Sequence, residues 1–452
     1  MNDAKINPLS RDITIGSLLR FALPTIVTML FMGLYTIGDT IFVSHFVDTN
    51  ALSAMNIVTP VIHIIVGLAT MLATGGSAVV ARKMGAGKEK EASQDFTLIV
   101  FFGIALGAAI ALAGSVFIDE LILGLGASEL LFPYCRDYLL ILLVFTPASM
   151  LQVLFQNLVI TAGRPGFGMA LSIGAGAVNV FLDYIFMVPF NMGIRGSALG
   201  TGIGYLIPAV AGFVFFLAGK GNMRFEKPVF RPGVLIESCG NGCSEMVSQA
   251  ASAVTTFLFN TVMIRLLGED GVAAVTIIIY TQFLLNALYT GFSMGVAPII
   301  SYNHGSRDFE KLKKVFRICL RFLAAVSALV FMVSMTAGSW LIRIFSPVGT
   351  AVYDIAREGF FIFSFSFLFC GFNLFASSAF TALSNGKISA FLSFLRTFGF
   401  ITLLLLLLPK AIGVTGVWLA VPIAESATMM TAVFLMRQNN RKYNCFHRAN
   451  KI

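Results

Sequence analysis

Four polar residues in strongly apolar surroundings are the first candidates for chemistry. Asp39 and Asp183 are the acids, and Asn179 precedes Asp183 by four residues, which places these two side chains on one face of a helix. Thr201 falls at a comparable depth in a later apolar segment. Burial and a neighbouring carboxylate raise the proton affinity of an acid, and neutral oxygens suit a small hard cation. The cluster is therefore predicted to bind H⁺ or Na⁺.

An architectural role is the alternative for this cluster. Asp39 could cap or kink its helix, and Asp183 could bond to the backbone at the membrane surface. No Lys or Arg falls at this depth in the first half of the chain to neutralise the two acids. A purely architectural residue should also recur in both halves of a duplicated fold, whereas the corresponding residues in the second half are Asn260, Phe400 and Leu404.

A second polar set lies in the second half of the chain. Arg396 and Glu425 fall at similar depth on adjacent spans, which favours an ion pair that holds this half together. Glu245 is near mid-span, with Gln249 one turn on. Glu245 is either a cavity acid that meets a cationic substrate or a second proton, or a packing acid bonded to hydroxyls such as those of Ser244 and Ser248.

Pro24 precedes Asp39 on the same predicted span. Proline removes a backbone hydrogen bond and kinks a helix. Two interpretations stay open: a static kink, or a hinge whose bend depends on what Asp39 binds.

The composition places these residues in a membrane protein. Of 452 residues, 57% are hydrophobic and 12% charged, and the mean hydropathy is +0.86, whereas soluble domains carry about 25% charged residues. This excludes a soluble enzyme, a disordered chain and a disulfide-stapled domain. Continuous apolar runs predict an all-α membrane protein with twelve spans, at residues 14–43, 52–81, 96–118, 133–162, 167–190, 197–218, 234–266, 272–302, 315–345, 354–383, 388–408 and 413–436.

Lys and Arg predict the orientation. The face that carries both termini holds 24 of the 31 basic residues, and one more, Arg396, falls inside a span. The opposite face holds Arg136, Arg195, Arg265, Arg343, Arg357 and Lys410. The positive-inside rule therefore predicts cytoplasmic termini. The net charge of +9 reflects these loops and is not read as a sign of nucleic-acid binding.

Short motifs recur about 220 residues apart. Met84-Gly85-Ala86-Gly87-Lys88 corresponds to His304-Gly305-Ser306-Arg307, and Gly193-Ile194-Arg195-Gly196 to Gly413-Val414-Thr415-Gly416. We expect two six-helix lobes related by a parallel repeat, with the substrate site between them. The predicted units are an N-lobe (1–218), a cytoplasmic linker (219–233), a C-lobe (234–436) and a basic cytoplasmic tail (437–452).

Further motifs follow one another in a characteristic order: Leu23-Pro24, Asp39, Ala51-Leu52-Ser53-Ala54, Met84 to Gly87, Ala162-Gly163-Arg164-Pro165, Asn179 to Asp183, Gly193 to Thr201, and Pro298 to Gly305. In this order the chain resembles the multidrug and toxic compound extrusion (MATE) transporters along nearly its whole length. The later Ile423-Ala424-Glu425-Ser426 is similar to a bacterial branch of that family.

The resemblance implies two bundles that face each other across a cleft, and extrusion by alternating access coupled to H⁺ or Na⁺. It matches Asp39, Asn179, Asp183 and Thr201 to an N-lobe cation site, which is thus a possible Na⁺ site, and it favours the hinge at Pro24. One departure concerns the tenth span, where some relatives carry an acid of a C-lobe sodium site. After Glu358 this span has none.

The leading hypothesis is a multidrug efflux antiporter of the bacterial inner membrane that exports amphipathic, often cationic compounds. It is expected to need no cofactor besides the coupling ion, to bind no nucleic acid and to work as a monomer. A flippase for a lipid-linked saccharide is the alternative, although it needs several cavity cations and Arg396 alone is available. A lipid-modifying enzyme is the third hypothesis, and it lacks a visible nucleophile–base pair.

Overall fold

The computed structural model describes residues 7–46, 49–219 and 222–443. Side chains are described over the same ranges except residues 37, 39–46, 49 and 441–442. The described chain folds into helices α1 (Ile15–Phe46), α2 (Thr49–Gly85), α3 (Glu89–Val116), α4 (Ile118–Gly124), α5 (Phe132–Val144), α6 (Thr146–Thr161), α7 (Pro165–Met187), α8 (Ile194–Leu217), α9 (Pro232–Gly305), α10 (Phe309–Arg343), α11 (Ala351–Phe363), α12 (Phe367–Ala382), α13 (Gly386–Phe394), α14 (Ile401–Ile412), α15 (Val414–Gln438) and α16 (Asn440–Tyr443).

Twelve spans can be recognised in the described chain. Ten helical stretches are long and apolar enough to cross a membrane, and α5 with α6 forms an eleventh span that is bent by 54°. The twelfth arises because α9 changes direction at Gly268, whose φ of +68° is easily adopted by glycine. The predicted twelve-helix, all-α membrane fold is confirmed.

Three predicted spans are interrupted where continuous helices were expected. Pro147 lies in the first turn of α6 and lacks a backbone N–H, which accounts for the break between α5 and α6. A 3₁₀ turn, Ser364–Ser366, separates α11 from α12. Between α13 and α14 the helix widens into a π-helical stretch, Leu395–Phe400. Stretches of this kind are frequent at functional sites, and this one carries Arg396.

The two lobes are joined by residues 222–231, which we call the strap. The strap has no helix and lies on α3. The backbone N–H of Glu226 donates to the Thr97 hydroxyl at 3.1 Å, and the rings of Phe225 and Phe96 are 5.0 Å apart.

The lobes touch through glycines at one face. We call this the terminal face, formed by residues 86–88, 162–164, 306–308 and 383–385 together with the strap. The backbones of Gly75 on α2 and Gly242 on α9 leave no room for a Cβ atom between them. Arg82 crosses between the lobes and pairs with Glu237 at 2.7 Å.

These contacts repeat with approximate two-fold symmetry. Gly85 packs against the Tyr302 carbonyl, and Gly305, 220 residues later, packs against the Arg82 carbonyl. Since related residues make reciprocal contacts, the interface resembles that of a symmetric dimer. The terminal side of the cleft is therefore closed by backbone-to-backbone packing.

Candidate functional site

The N-lobe cluster is built from α7 and α8, with α1 alongside. Asn179 and Asp183 lie one turn apart on α7 and are only 3% and 1% exposed. The Asn179 side-chain carbonyl accepts a hydrogen bond from the Tyr35 hydroxyl, and its amide donates to Thr201 at 3.5 Å. The structure thus brings together Asn179, Asp183 and Thr201 and adds Tyr35, which sequence reasoning missed.

Glycines on α8 allow the two helices to approach. A Cβ atom at Gly200 would overlap the Asp183 carboxylate, and one at Gly204 would lie 3.2 Å from the Asn179 Cβ. Because Gly200 and Gly204 are one turn apart, they form a shallow groove that accepts the polar side chains of α7. The cluster is therefore enclosed by backbone on its α8 side.

The side chain of Asp39 lies outside the described residues, so its place in the cluster stays a prediction. Its backbone belongs to α1, which packs against α7. Tyr35 precedes Asp39 by four residues, and positions four apart share a helix face. That spacing is the signal by which Tyr35 could have been found.

The arginines on the opposite face of the N-lobe are paired near the surface. Arg136 contacts Asp119 at 3.0 Å, and Arg195 contacts Asp137 at 2.8 Å. All four side chains are at least one-third exposed. These cations are therefore engaged with surface carboxylates.

The C-lobe contains a buried polar network centred on Glu425. Arg396 Nε donates to Glu425 Oε1 at 2.8 Å, and Asn373 Nδ2 donates to Oε2 at 2.6 Å. Arg396 also donates to Cys370 Sγ at 3.3 Å, and the Cys370 thiol donates to Asn286 at 3.1 Å. The network ties α9, α12, the π-helical stretch and α15 together, and the structure brings Arg396 and Glu425 into an ion pair.

Glu245 lies half-buried on the first arm of α9. The hydroxyls proposed as its partners are engaged elsewhere: Ser244 with Thr381 at 3.4 Å, and Ser248 with the Ser244 carbonyl at 2.9 Å. Within the described part of the chain, no hydrogen bond or ion pair to the Glu245 carboxylate is found. This environment favours the interpretation of Glu245 as a cavity acid over its interpretation as an acid that only packs between helices.

Gln249, one turn after Glu245, joins the lobes. Its side-chain carbonyl lies 3.2 Å from Nδ1 of His63 on α2. The backbone at Gly67 approaches closely enough that a Cβ atom there would lie 3.3 Å from the Gln249 Cβ. Gln249 therefore marks a lobe–lobe contact beside Glu245.

Pro24 lies within an uninterrupted α1. The Thr28 hydroxyl donates to the Pro24 carbonyl at 2.8 Å, and the neighbouring Thr25 donates across the lobe interface to the Gly291 carbonyl at 2.7 Å. Pro24 thus lies where α1 is attached to the C-lobe. The hinge stays a prediction.

A family model described as MatE matches residues 24–185 and again residues 246–408. The chain belongs to the MatE family. The match occurs once in each half, as a duplicated fold requires. The chain is therefore a multi-pass membrane transporter and not an enzyme.

Similar proteins include the multidrug export protein MepA of Staphylococcus aureus (strain bovine RF122 / ET3-1), which is 22% identical over 441 residues and 96% covered in both chains. The crystal structure of a MATE protein in complex with MaL6 superposes with a TM-score of 0.91 at 20% identity, covering 98% of this chain and 100% of that one. A MOP superfamily transporter from Pyrococcus furiosus gives 0.90 at 19% identity, with 98% and 100% coverage, and its reverse binding-pocket polarity is described as suggesting a different function. At such identities the structures establish the MATE fold alone.

Proposed function

We propose that this MATE transporter is a multidrug efflux antiporter. It exports amphipathic, often cationic compounds by alternating access, driven by H⁺ or Na⁺ that enters through the N-lobe cluster. The observation that carries the proposal is Asp183, which is buried beside the neutral oxygens of Asn179 and Thr201 next to the helix that bears Asp39.

The position of the cluster relates ion binding to movement. It draws on α1, α7 and α8, and α1 also contacts the C-lobe through Thr25. An ion bridging Asp39 and Asp183 would hold α1 against α7 and bend it at Pro24. Such coupling requires the ion to bind the inward-open and outward-open states unequally.

The substrate class rests on the relatives and on Glu245. MepA is named a multidrug export protein, and a half-buried carboxylate on α9 near the lobe interface suits a cationic substrate. Arg396 is paired with Glu425, which argues against a diphosphate-binding flippase cavity. The coupling ion is the only inorganic partner that the proposal needs.

The proposed location is the plasma (inner) membrane of a bacterium, with the terminal face and both termini in the cytoplasm. Basic residues predominate on that face, as the positive-inside rule requires. The transporter is proposed to work as a monomer.

Efflux from intact cells tests the proposal. Cells loaded with ethidium and expressing Asp183→Asn or Asp39→Asn should extrude the dye no faster than cells without the transporter. Asp137→Asn, which alters a surface acid paired with Arg195, is the control and should extrude it normally. Normal efflux by Asp183→Asn at equal membrane expression would overturn the proposed coupling site.

A further inference from the structure

The repeat places α3 and α10 at corresponding positions in the two lobes. Each begins four residues after the glycine that ends the preceding long helix, at Glu89 after Gly85 and at Phe309 after Gly305. The two helix starts are thus 220 residues apart, which matches the offset of the sequence repeat. Residues on α3 can therefore be compared directly with residues 220 positions later on α10.

In the N-lobe, the strap covers the side of α3 that carries Gln94 and Thr97. Thr97 accepts the backbone hydrogen bond of Glu226, and Gln94 accepts a hydrogen bond from Arg231 at 3.1 Å. Arg231 also contacts the buried carboxylate of Asp95 at 3.3 Å. This part of α3 is consequently shielded by protein.

The C-lobe leaves the corresponding side of α10 bare and basic. Gln94 and Thr97, which the strap covers, correspond to Lys314 and Arg317, and Phe101, which is 53% exposed, corresponds to Arg321. All three basic side chains are exposed. Their spacing of three and four residues puts them in one stripe on the helix. Among the described residues no carboxylate pairs with them, and the nearby Glu310 pairs with Lys313 at 2.9 Å. We call these three residues the basic stripe.

The same side of α10 becomes apolar farther along the helix. Leu329 and Met332 are 55% and 56% exposed, and they continue the line from Arg321 at helical spacing. The basic stripe spans about 10 Å of helix axis. This length is close to the depth of the polar headgroup layer of one leaflet, because the long Arg321 side chain can extend toward the headgroups from the apolar side. The positive charge of the basic stripe matches the phosphate of an anionic phospholipid, and the exposed apolar surface beyond it matches the acyl chains.

We propose that the basic stripe binds the phosphodiester of an anionic phospholipid, whose acyl chains lie along Leu329 and Met332. Residues 444–452 follow the C-lobe in the sequence as the strap follows the N-lobe, but they contain Arg448 and Lys451 and no acid, so their charge does not complement the stripe. The lipid thus covers on α10, around Lys314 and Arg317, the surface that the strap covers on α3 around Gln94 and Thr97. It stabilises the C-lobe from the leaflet on the terminal side, whatever the transported substrate.

The test is a titration of the full-length, detergent-solubilised protein with palmitoyl-oleoyl phosphatidylglycerol or phosphatidylcholine, followed by native mass spectrometry. The stripe variant Lys314→Gln/Arg317→Gln/Arg321→Gln should bind the tightest phosphatidylglycerol about tenfold more weakly than wild type, because each basic residue contributes to attraction for anionic lipid. Phosphatidylcholine binding should not change. The charge-retaining variant Lys314→Arg/Arg317→Lys/Arg321→Lys should bind like wild type.

The matched control carries three neutralised basic residues outside the stripe, one at the start of α3 and two on the strap, Lys90→Gln/Arg224→Gln/Lys227→Gln, and should keep wild-type affinity. Equal phosphatidylglycerol affinity in the stripe variant and wild type would overturn the proposal. So would a several-fold gain on deletion of residues 444–452, which would show that this segment occupies the stripe.

Discussion

Asp183 on α7 and Gly200 on α8 are in direct contact, and the Asp183 carboxylate fills the space that any side chain at residue 200 would need. The Asp183 carboxylate can therefore occupy its position only because residue 200 on the facing helix has no side chain. Asn179 and Gly204 repeat the arrangement one turn away. A search of the sequence for acids and amides alone does not find Gly200 and Gly204, which form the α8 side of the site.

The first prediction concerns this contact. Gly200→Ala should abolish ethidium efflux, because the new methyl group displaces the Asp183 carboxylate, and overpacking of this kind costs about 1–3 kcal/mol of stability. Efflux rate and melting temperature in detergent are the measurements. Gly174→Ala on α7 is the control, since its Cβ meets nothing within 4 Å, and it should keep full activity. Normal transport by Gly200→Ala would show that the carboxylate position is unimportant.

A second prediction concerns closure of the terminal face. Gly242→Ala should hold the lobes apart there, because its Cβ would overlap the Met71 backbone, whereas Gly240→Ala on the same helix meets nothing within 4 Å. The measurement is the distance between spin labels at residues 90 and 314. It should lengthen in Gly242→Ala and stay unchanged in Gly240→Ala. Identical distances in both variants would argue against a glycine-dependent closure.

The third prediction compares two ion pairs. Glu425→Gln leaves Arg396 without its buried counter-charge, and removing one partner of a buried pair costs about 3–5 kcal/mol. Asp119→Asn breaks the exposed pair with Arg136 and should cost about 1 kcal/mol or less. Denaturation in detergent would compare the two. Equal stability losses would contradict the structural role assigned to the C-lobe network.

The fourth prediction separates charge recognition from packing at Glu245. A carboxylate and a cationic substrate attract each other by about 1–4 kcal/mol at 4 Å, depending on the local dielectric. Glu245→Gln should therefore raise the KM for ethidium about tenfold and leave the KM for the uncharged dye Nile red unchanged. Parallel losses for both dyes would indicate a packing role instead.

The fold was largely predictable because bilayer spans leave a strong signal in hydropathy. Twelve spans and the parallel repeat follow from apolar run length and recurring glycine motifs. The interruptions at Phe145, at residues 364–366 and at residues 395–400 were not predicted, since the spans were assigned from the length of apolar runs, which does not register a break within a run. Pro147 accounts for the first of these interruptions, whereas tertiary packing decides between a continuous and an interrupted helix at the other two.

The candidate site was predictable in its ionisable residues and less so in their partners. Asn179, Asp183 and Thr201 are conspicuous because polar groups are rare in spans, and they lie together. Tyr35 looks like one more aromatic residue in an apolar run, and Cys370 like a small apolar one. The spacing of Tyr35 and Asp39 places both on one face of α1, but the hydrogen bonds of Tyr35 and Cys370 join distant segments, and spacing along one helix does not predict those partners.

The central claim is that ion entry at the N-lobe cluster drives export. It is tested most directly in proteoliposomes, by measuring ethidium transport under a pH gradient and under a Na⁺ gradient imposed separately, for wild type and Asp39→Asn. We predict that wild-type transport follows one of the two gradients and that Asp39→Asn, although correctly folded, transports under neither. Undiminished gradient-driven transport by Asp39→Asn, or no wild-type transport under either gradient, would contradict the account.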